Sequence, residues 1–133
     1  MIVVDASAVV ALLVDSGRAG EFVGEQVAVH EIAYPSLMPY EVANALRRLC
    51  ANGTIDAAFA EKALDESSAL RGEVFEFDEL ANRVWQLRDN LTAYDAAYVA
   101  LAESIDVPLL TLDARLAAAP GPRCQFVGLT TSG

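Results

Sequence analysis

The chain has 133 residues, is 54% hydrophobic and 21% charged, and carries a formal net charge of −10. That length suits a single domain, residues 1–133, with a real core, and the composition excludes a disordered or fibrous chain. The charge excludes a protein that grips nucleic acid by bulk electrostatics, since such proteins are basic.

No apolar run approaches the ~20 residues of a membrane span, so no membrane role is expected. Met1-Ile-Val-Val-Asp5 lacks the basic start and long apolar core of a secretory signal, which points to the cytoplasm. Cys50 and Cys124 have no CxxC or Cys/His spacing and are expected as reduced, buried thiols. With His30 as the single histidine, a zinc site is not expected.

In chain order, Ile2–Val4 reads as a strand and Ala8–Val14 as an apolar helix, with Asp5 at the junction as a candidate cap. Arg18–Gln26 reads as a polar helix, and Val27–Ala33, containing His30, as the next strand. A turn at Tyr34-Pro-Ser36 leads to a helix from Pro39 to about Cys50, stopped by Asn52-Gly53. Glu41, Asn44 and Arg48 share one face of it. Asp56 caps a helix over 57–70, Glu73–Phe77 alternates as a strand, and Asp78 caps a helix over 79–88.

Leu91–Glu103 is apolar on nearly every face and therefore reads as a buried helix, with Thr92 as its cap and Asp95 in its first turn. Val107–Leu112 is a near-continuous apolar run, as in a central parallel strand. Asp113, a short helix over 114–119, a strand over 125–129 and a loose tail over 130–133 complete the chain. Strands alternating with helices predict an α/β fold around a mostly parallel, roughly five-stranded sheet. Ligands of such sheets bind at the carboxyl ends of the strands, where both Asp5 and Asp113 fall.

Each acid alone has an ordinary explanation as a helix cap or a first-turn charge. Were Asp5, Glu41, Asp95 and Asp113 to meet, each adjacent pair at ~4 Å would repel by about 4 kcal/mol at an effective dielectric of ~20. A bound cation relieves that repulsion, and an oxygen-only donor set selects Mg²⁺ or Mn²⁺. Such an ion neutralises a phosphodiester oxygen and supplies a water as nucleophile. Ser7, Asn44 and Thr111 have short polar side chains at offsets that could orient the acids, or could serve ordinary turns and helices. Arg47, Arg48 and Arg115 are candidates for phosphate contact, and Tyr40, Tyr94 and Tyr98 for base stacking, with core packing favoured for Tyr98.

Four segments, Val4-Asp5-Ala-Ser7-Ala, Pro39-Tyr-Glu41-Val-Ala-Asn44-Ala-Leu46, Thr92-Ala-Tyr-Asp95-Ala-Ala-Tyr98-Val-Ala-Leu101-Ala-Glu103 and Leu110-Thr111-Leu-Asp113-Ala-Arg115-Leu116, together resemble the PIN domain. The likeness is closest to the VapC toxins of toxin–antitoxin pairs, and it spans nearly the whole chain. It implies a three-layer α/β/α fold and an endoribonuclease dependent on Mg²⁺ or Mn²⁺, with Asp5, Glu41, Asp95 and Asp113 as catalytic and metal ligands. Ser7, Asn44 and Thr111 match the family's supporting polar positions. The resemblance further implies an RNA substrate, a homodimer, and a cognate antitoxin whose basic, disordered tail enters the acidic pocket. A PIN nuclease of RNA processing and a silent PIN-fold binding module stand as alternatives. A receiver domain would want a lysine near the fourth or fifth strand, and the one lysine, Lys62, lies within a predicted helix. A P-loop would need GxxxxGK[ST], which the chain lacks.

Overall fold

A computed structural model describes residues 1–129; the expected loose tail over 130–133 lies outside them. Five strands, β1 (Ile2–Val4), β2 (Ile32–Pro35), β3 (Gly72–Phe75), β4 (Leu109–Leu110) and β5 (Phe126–Val127), form one sheet in the order β3-β2-β1-β4-β5. Every pairing is parallel, with Ile2 opposite Ile32, Val3 opposite Leu109 and Leu109 opposite Phe126. The helices are α1 (Ala6–Val14), α2 (Arg18–Val29), α3 (Met38–Ala51), α4 (Ala57–Ser68), α5 (Phe77–Gln86), α6 (Ala93–Ser104) and α7 (Ala114–Ala118).

Strand order runs outward from β1 to β3, then jumps back across β1 to β4. Right-handed crossovers therefore lay α1 to α4 on one face and α5 and α6 on the other, giving three layers. The packing agrees, since α1 rests on α2, α3 and α4, while α5 rests on α6. The direction of winding reverses between β1 and β4, and a crevice opens at that point beyond the carboxyl ends of the strands. Asp5 follows β1 and Asp113 closely follows β4, so the topology alone brings them together.

The core is built where the sequence is apolar without interruption. Val3, Val4, Leu109 and Leu110 are fully buried in the two central strands, and α6 is buried continuously from Ala96 to Ala102. Its alanines let the helix lie close on the sheet. At Gly20 a Cβ would sit 1.8 Å from the Asp15 carbonyl oxygen, so only glycine allows α2 to turn back on the end of α1.

Several expected boundaries are corrected; the strands expected over 107–112 and 125–129 are Leu109–Leu110 and Phe126–Val127. Val27–Val29 belong to α2, not to a strand, because Val27 repeats the spacing of buried Val23 one helical turn on; His30 is the cap of that helix and its Nδ1 meets the Gln26 carbonyl at 2.9 Å. The strand expected over 73–77 stops at Phe75, because the Glu79 carboxylate accepts from the Glu76 backbone N–H at 3.1 Å. Glu76, not Asp78, is the cap of α5. The two thiols are half-buried rather than buried, and burial pushes the Cys124 thiol up to about 11.

A second polar assembly clamps the far end of α6. Arg83 of α5 donates from Nε to Glu103 Oε1 at 2.6 Å and from Nη2 to Oε2 at 3.2 Å, and also to the Gly121 carbonyl at 3.0 Å. The Arg123 N–H adds a bond to Glu103 at 2.8 Å. Burial alone would push the Glu103 carboxyl up, but the Arg83 and Arg123 bonds and charges outweigh it and hold it below its usual range. A lowered carboxylate stabilises the fold above its unfolded-state value and ceases to do so as pH falls through the folded-state value. Glu103→Gln should therefore cost about 2 kcal/mol at neutral pH. Thermal melts should show that difference shrinking below pH ~4; a gap constant with pH would refute the assignment.

Candidate active site

Asp5 follows directly on β1 at its carboxyl end and is 4% exposed. Its Oδ1 accepts from Ser7 Oγ at 2.6 Å and from the Ala8 N–H at 3.0 Å, capping α1, and its Oδ2 accepts from Thr111 Oγ1 at 2.5 Å. Each hydroxyl gives its one proton to Asp5 and accepts a backbone N–H from the β4–α7 loop. Ser7 Oγ takes that of Leu112 at 3.0 Å, and Thr111 Oγ1 that of Asp113 at 3.0 Å. The two loops that flank the crevice are thus tied through one carboxylate. A carboxylate offers about four lone-pair sites, so three accepted bonds leave Asp5 Oδ2 one direction open to a ligand.

Glu41 enters from the first turn of α3, where Pro39 pre-sets the backbone. Its Oε1 accepts from the hydroxyl of Tyr98, a fully buried residue of α6, at 2.5 Å. Asp95 stands in the first turn of α6, its N–H accepted by Thr92 Oγ1 at 3.2 Å. Asp113 caps α7 through Oδ1, at 3.0 Å from the Arg115 N–H. Arg115 Nη2 lies 3.4 Å from both Asp95 Oδ2 and Asp113 Oδ2, so one guanidinium group bridges two acids.

The four acids feel one another. Burial pushes the Asp5 carboxyl up, and the charge of Asp113 adds to that against three opposing hydrogen bonds. Burial likewise raises Glu41, reinforced by Asp95 and Asp5 and opposed by the Tyr98 bond and the Arg48 charge. Asp95 is raised by burial and by Asp113, against Arg115. The couplings close a ring from Asp5 through Glu41, Asp95 and Asp113 back to Asp5. Among the described residues no group of three or more His, Cys, Asp or Glu is arranged to hold an ion as it stands. The donor chemistry nevertheless fits a hard dication: oxygen only, mutually repelling, and with open lone pairs.

Of the supporting residues, Ser7 and Thr111 both donate to Asp5. Asn44 is exposed, and its Oδ1 accepts from Arg47 Nε at 3.0 Å, so these two partner each other. Arg48 is exposed on the same helix and acts on Glu41 through its charge. Tyr98 does more than pack, since burial and Glu41 keep its phenol protonated far above the ordinary range. Its Glu41 contact was missed because the partners lie 57 residues apart and the tyrosine is surrounded by apolar residues. Tyr98→Phe should lower stability by about 1 kcal/mol. It should also shift upward any pH limb set by Glu41, since that carboxylate loses the bond that lowers it. A pH–rate profile superimposable on wild type would deny Tyr98 this role.

The PIN domain family profile matches residues 2–122. Ribonuclease VapC1 of Mycobacterium tuberculosis is 43% identical, the alignment covering 93% of this chain and 94% of that protein. VapC ribonuclease Mb0985 of Mycobacterium bovis is 39% identical over 95% and 96%. Among solved structures, PAE2754 from Pyrobaculum aerophilum superposes with a TM-score of 0.69 at 29% identity, covering 94% of this chain and 81% of that one. VapC20 of Mycobacterium tuberculosis, described as a sarcin–ricin loop cleaving toxin, gives 0.68 at 16% identity over 89% and 94%, a likeness of fold. A five-stranded parallel sheet with acids at its winding reversal, the matched profile and these full-length relatives agree, and the chain belongs to the PIN-domain family alongside the VapC ribonucleases.

Proposed function

We propose that the protein is an endoribonuclease dependent on Mg²⁺ or Mn²⁺ that hydrolyses RNA phosphodiester bonds as the toxin of a VapBC-type pair. The observation that carries this reading is the meeting of acids where the winding reverses: Asp5 is joined to the loop of Asp113 through Ser7 and Thr111, and Arg115 bridges Asp113 to Asp95. Asp5, Glu41, Asp95 and Asp113 would hold the cation. When bound, it supplies neutralising charge for a phosphodiester oxygen and an acidified water as nucleophile. Ser7 and Thr111 fix the orientation of Asp5, and Tyr98 fixes that of Glu41. Arg115, 78% exposed, can leave its two long contacts at little cost and turn to a phosphate. Arg47 and Arg48 on α3 offer further phosphate contacts.

No described helix is long and apolar enough to cross a membrane, and the proposed place of action is the cytoplasm. The bridging position of Arg115 supports a basic antitoxin tail as the inhibitor, because a guanidinium group already fits between Asp95 and Asp113. The apolar groove between α3 and α4, lined by Leu46, Cys50, Ala60 and Leu64, supports docking of that antitoxin or formation of a homodimer.

The test is RNA cleavage by purified protein after chelation, after return of Mg²⁺ or Mn²⁺, and by Asp95→Asn in parallel. Cleavage should require the cation and vanish in the variant, whose expression should also relieve growth arrest. Cation-independent cleavage, or equal cleavage by the variant, would overturn the proposal.

A further inference from the structure

The single tryptophan of the chain is not in the core. Trp85, in the last turn of α5, is 68% exposed, and the Arg88 guanidinium lies 4.7 Å above its ring. Arg88 Nη1 is fixed there by a 2.9 Å bond to the Trp85 carbonyl. The same arginine lines a cavity of about 470 Å³, together with Asn90, Thr92, Asp95 and Arg115. Trp85 itself does not line that cavity; Arg88 joins the two, lining the cavity that reaches Asp95 while its guanidinium group lies over the Trp85 ring. The size of the cavity lies within the range of small-ligand sites.

We infer that this cavity and platform form a subsite for a nucleotide flanking the cleaved bond, with its base stacked at Trp85 and its phosphate between Arg88 and Arg115. The inference rests on the ribonuclease reading and deepens it. A planar ring capped by a guanidinium group suits any base, because stacking needs only a π-face. Phosphate is the ligand that two arginines at the rim of an otherwise acidic protein would draw. Asp89 and Asp95 also line the cavity, and their charges oppose a second anion there. The location accounts for an otherwise costly feature, a large aromatic surface left in water two residues from buried Leu87. Sequence reading pointed to Tyr40 and Tyr94 for stacking; both are exposed, but it is the Trp85 ring that Arg88, a residue lining this cavity, covers.

The experiment uses the whole protein with Mg²⁺ and a short single-stranded RNA of mixed sequence, mixed by stopped flow. Trp85 emission should be quenched in the fast phase, before cleavage. Trp85→Ala should raise KM at least about tenfold with kcat much less changed, and Trp85→Phe should restore most of the loss. Arg88→Gln should weaken binding and flatten its salt dependence. Phe77→Ala, at the opposite end of α5 and also exposed, serves as the control and should behave as wild type. Circular dichroism melts check that each variant folds. Wild-type cleavage with KM unchanged in Trp85→Ala would overturn the subsite and leave the ribonuclease reading standing. Absence of both binding and cleavage by wild type would overturn both. Unchanged RNA kinetics with loss of self-association in Trp85→Ala would reassign the platform to a protein interface.

Discussion

Asp95→Asn should reduce RNA cleavage by about 10²–10³-fold or more and yet melt at or above the wild-type temperature in cation-free buffer. Both effects have one origin. Burial and the neighbouring Asp113 raise the Asp95 carboxyl, so the folded protein without cation disfavours its charge. Asparagine removes that charge while keeping the shape and a carbonyl acceptor. The loss of the Arg115 contact weighs little, because that arginine is mostly exposed and 3.4 Å away. The same reasoning fixes the response to pH. Where carboxyls are raised on folding, the folded state binds more protons than the unfolded one, so stability increases as pH falls from neutral toward the folded-state values. Wild type should show that gain, and Asp95→Asn should show less of it. A divalent cation should raise the wild-type melting temperature by mass action, and the variant's by less. If Asp95→Asn melts well below wild type, Asp95 is chiefly a first-turn helix residue, and the repulsive ring loses a member.

The acids were legible in the sequence because topology forces two of them together. Asp5 and Asp113 each come just beyond a short apolar strand, and strands that wind in opposite senses from a common centre end at one crevice. The capping explanation was also correct: Asp5 accepts from the Ala8 N–H and Asp113 from the Arg115 N–H. Capping does not exclude a place in a site, because one carboxylate oxygen can serve the helix while the other is left for a further partner. The less legible features depend on long side chains or on distant partners. Arg115 reads as a phosphate contact, but without substrate it lies against Asp95 and Asp113. The clamp of Arg83 on Glu103 joins helices through side chains 20 residues apart and closes on a loop carbonyl, which no periodicity encodes. Val27–Val29 misled because β-branched residues favour strands only where a pleated neighbour awaits them, and here Val27 packs from a helix.

Asp5→Ala should cost about 3 kcal/mol of stability, or roughly 10 °C in melting temperature for a domain of this size. Alanine leaves Ser7 Oγ, Thr111 Oγ1 and the Ala8 N–H without their acceptor at a position only 4% exposed, and α1 loses its cap. It also removes the carboxylate that ties Thr111 to the end of β1, leaving the Ser7 Oγ contact with the Leu112 N–H as a second link. Relief of the buried charge offsets part of this, since the Asp5 carboxyl is raised mainly by desolvation. Asp5→Asn isolates the charge from the bonds. Its carbonyl can still accept from Ser7 and the Ala8 N–H, and its amide can donate to the remaining lone pair of Thr111 Oγ1. The asparagine variant should therefore melt within about 1 kcal/mol of wild type while cleaving no better than the alanine variant. Together the two substitutions separate a residue needed for its charge from one needed for its hydrogen bonds. Equal melting temperatures for Asp5→Ala and wild type would show that the Asp5 carboxylate does not hold the loops together. Full stability with lost cleavage in the asparagine variant would show that the site needs the negative charge itself, at a position where burial disfavours it.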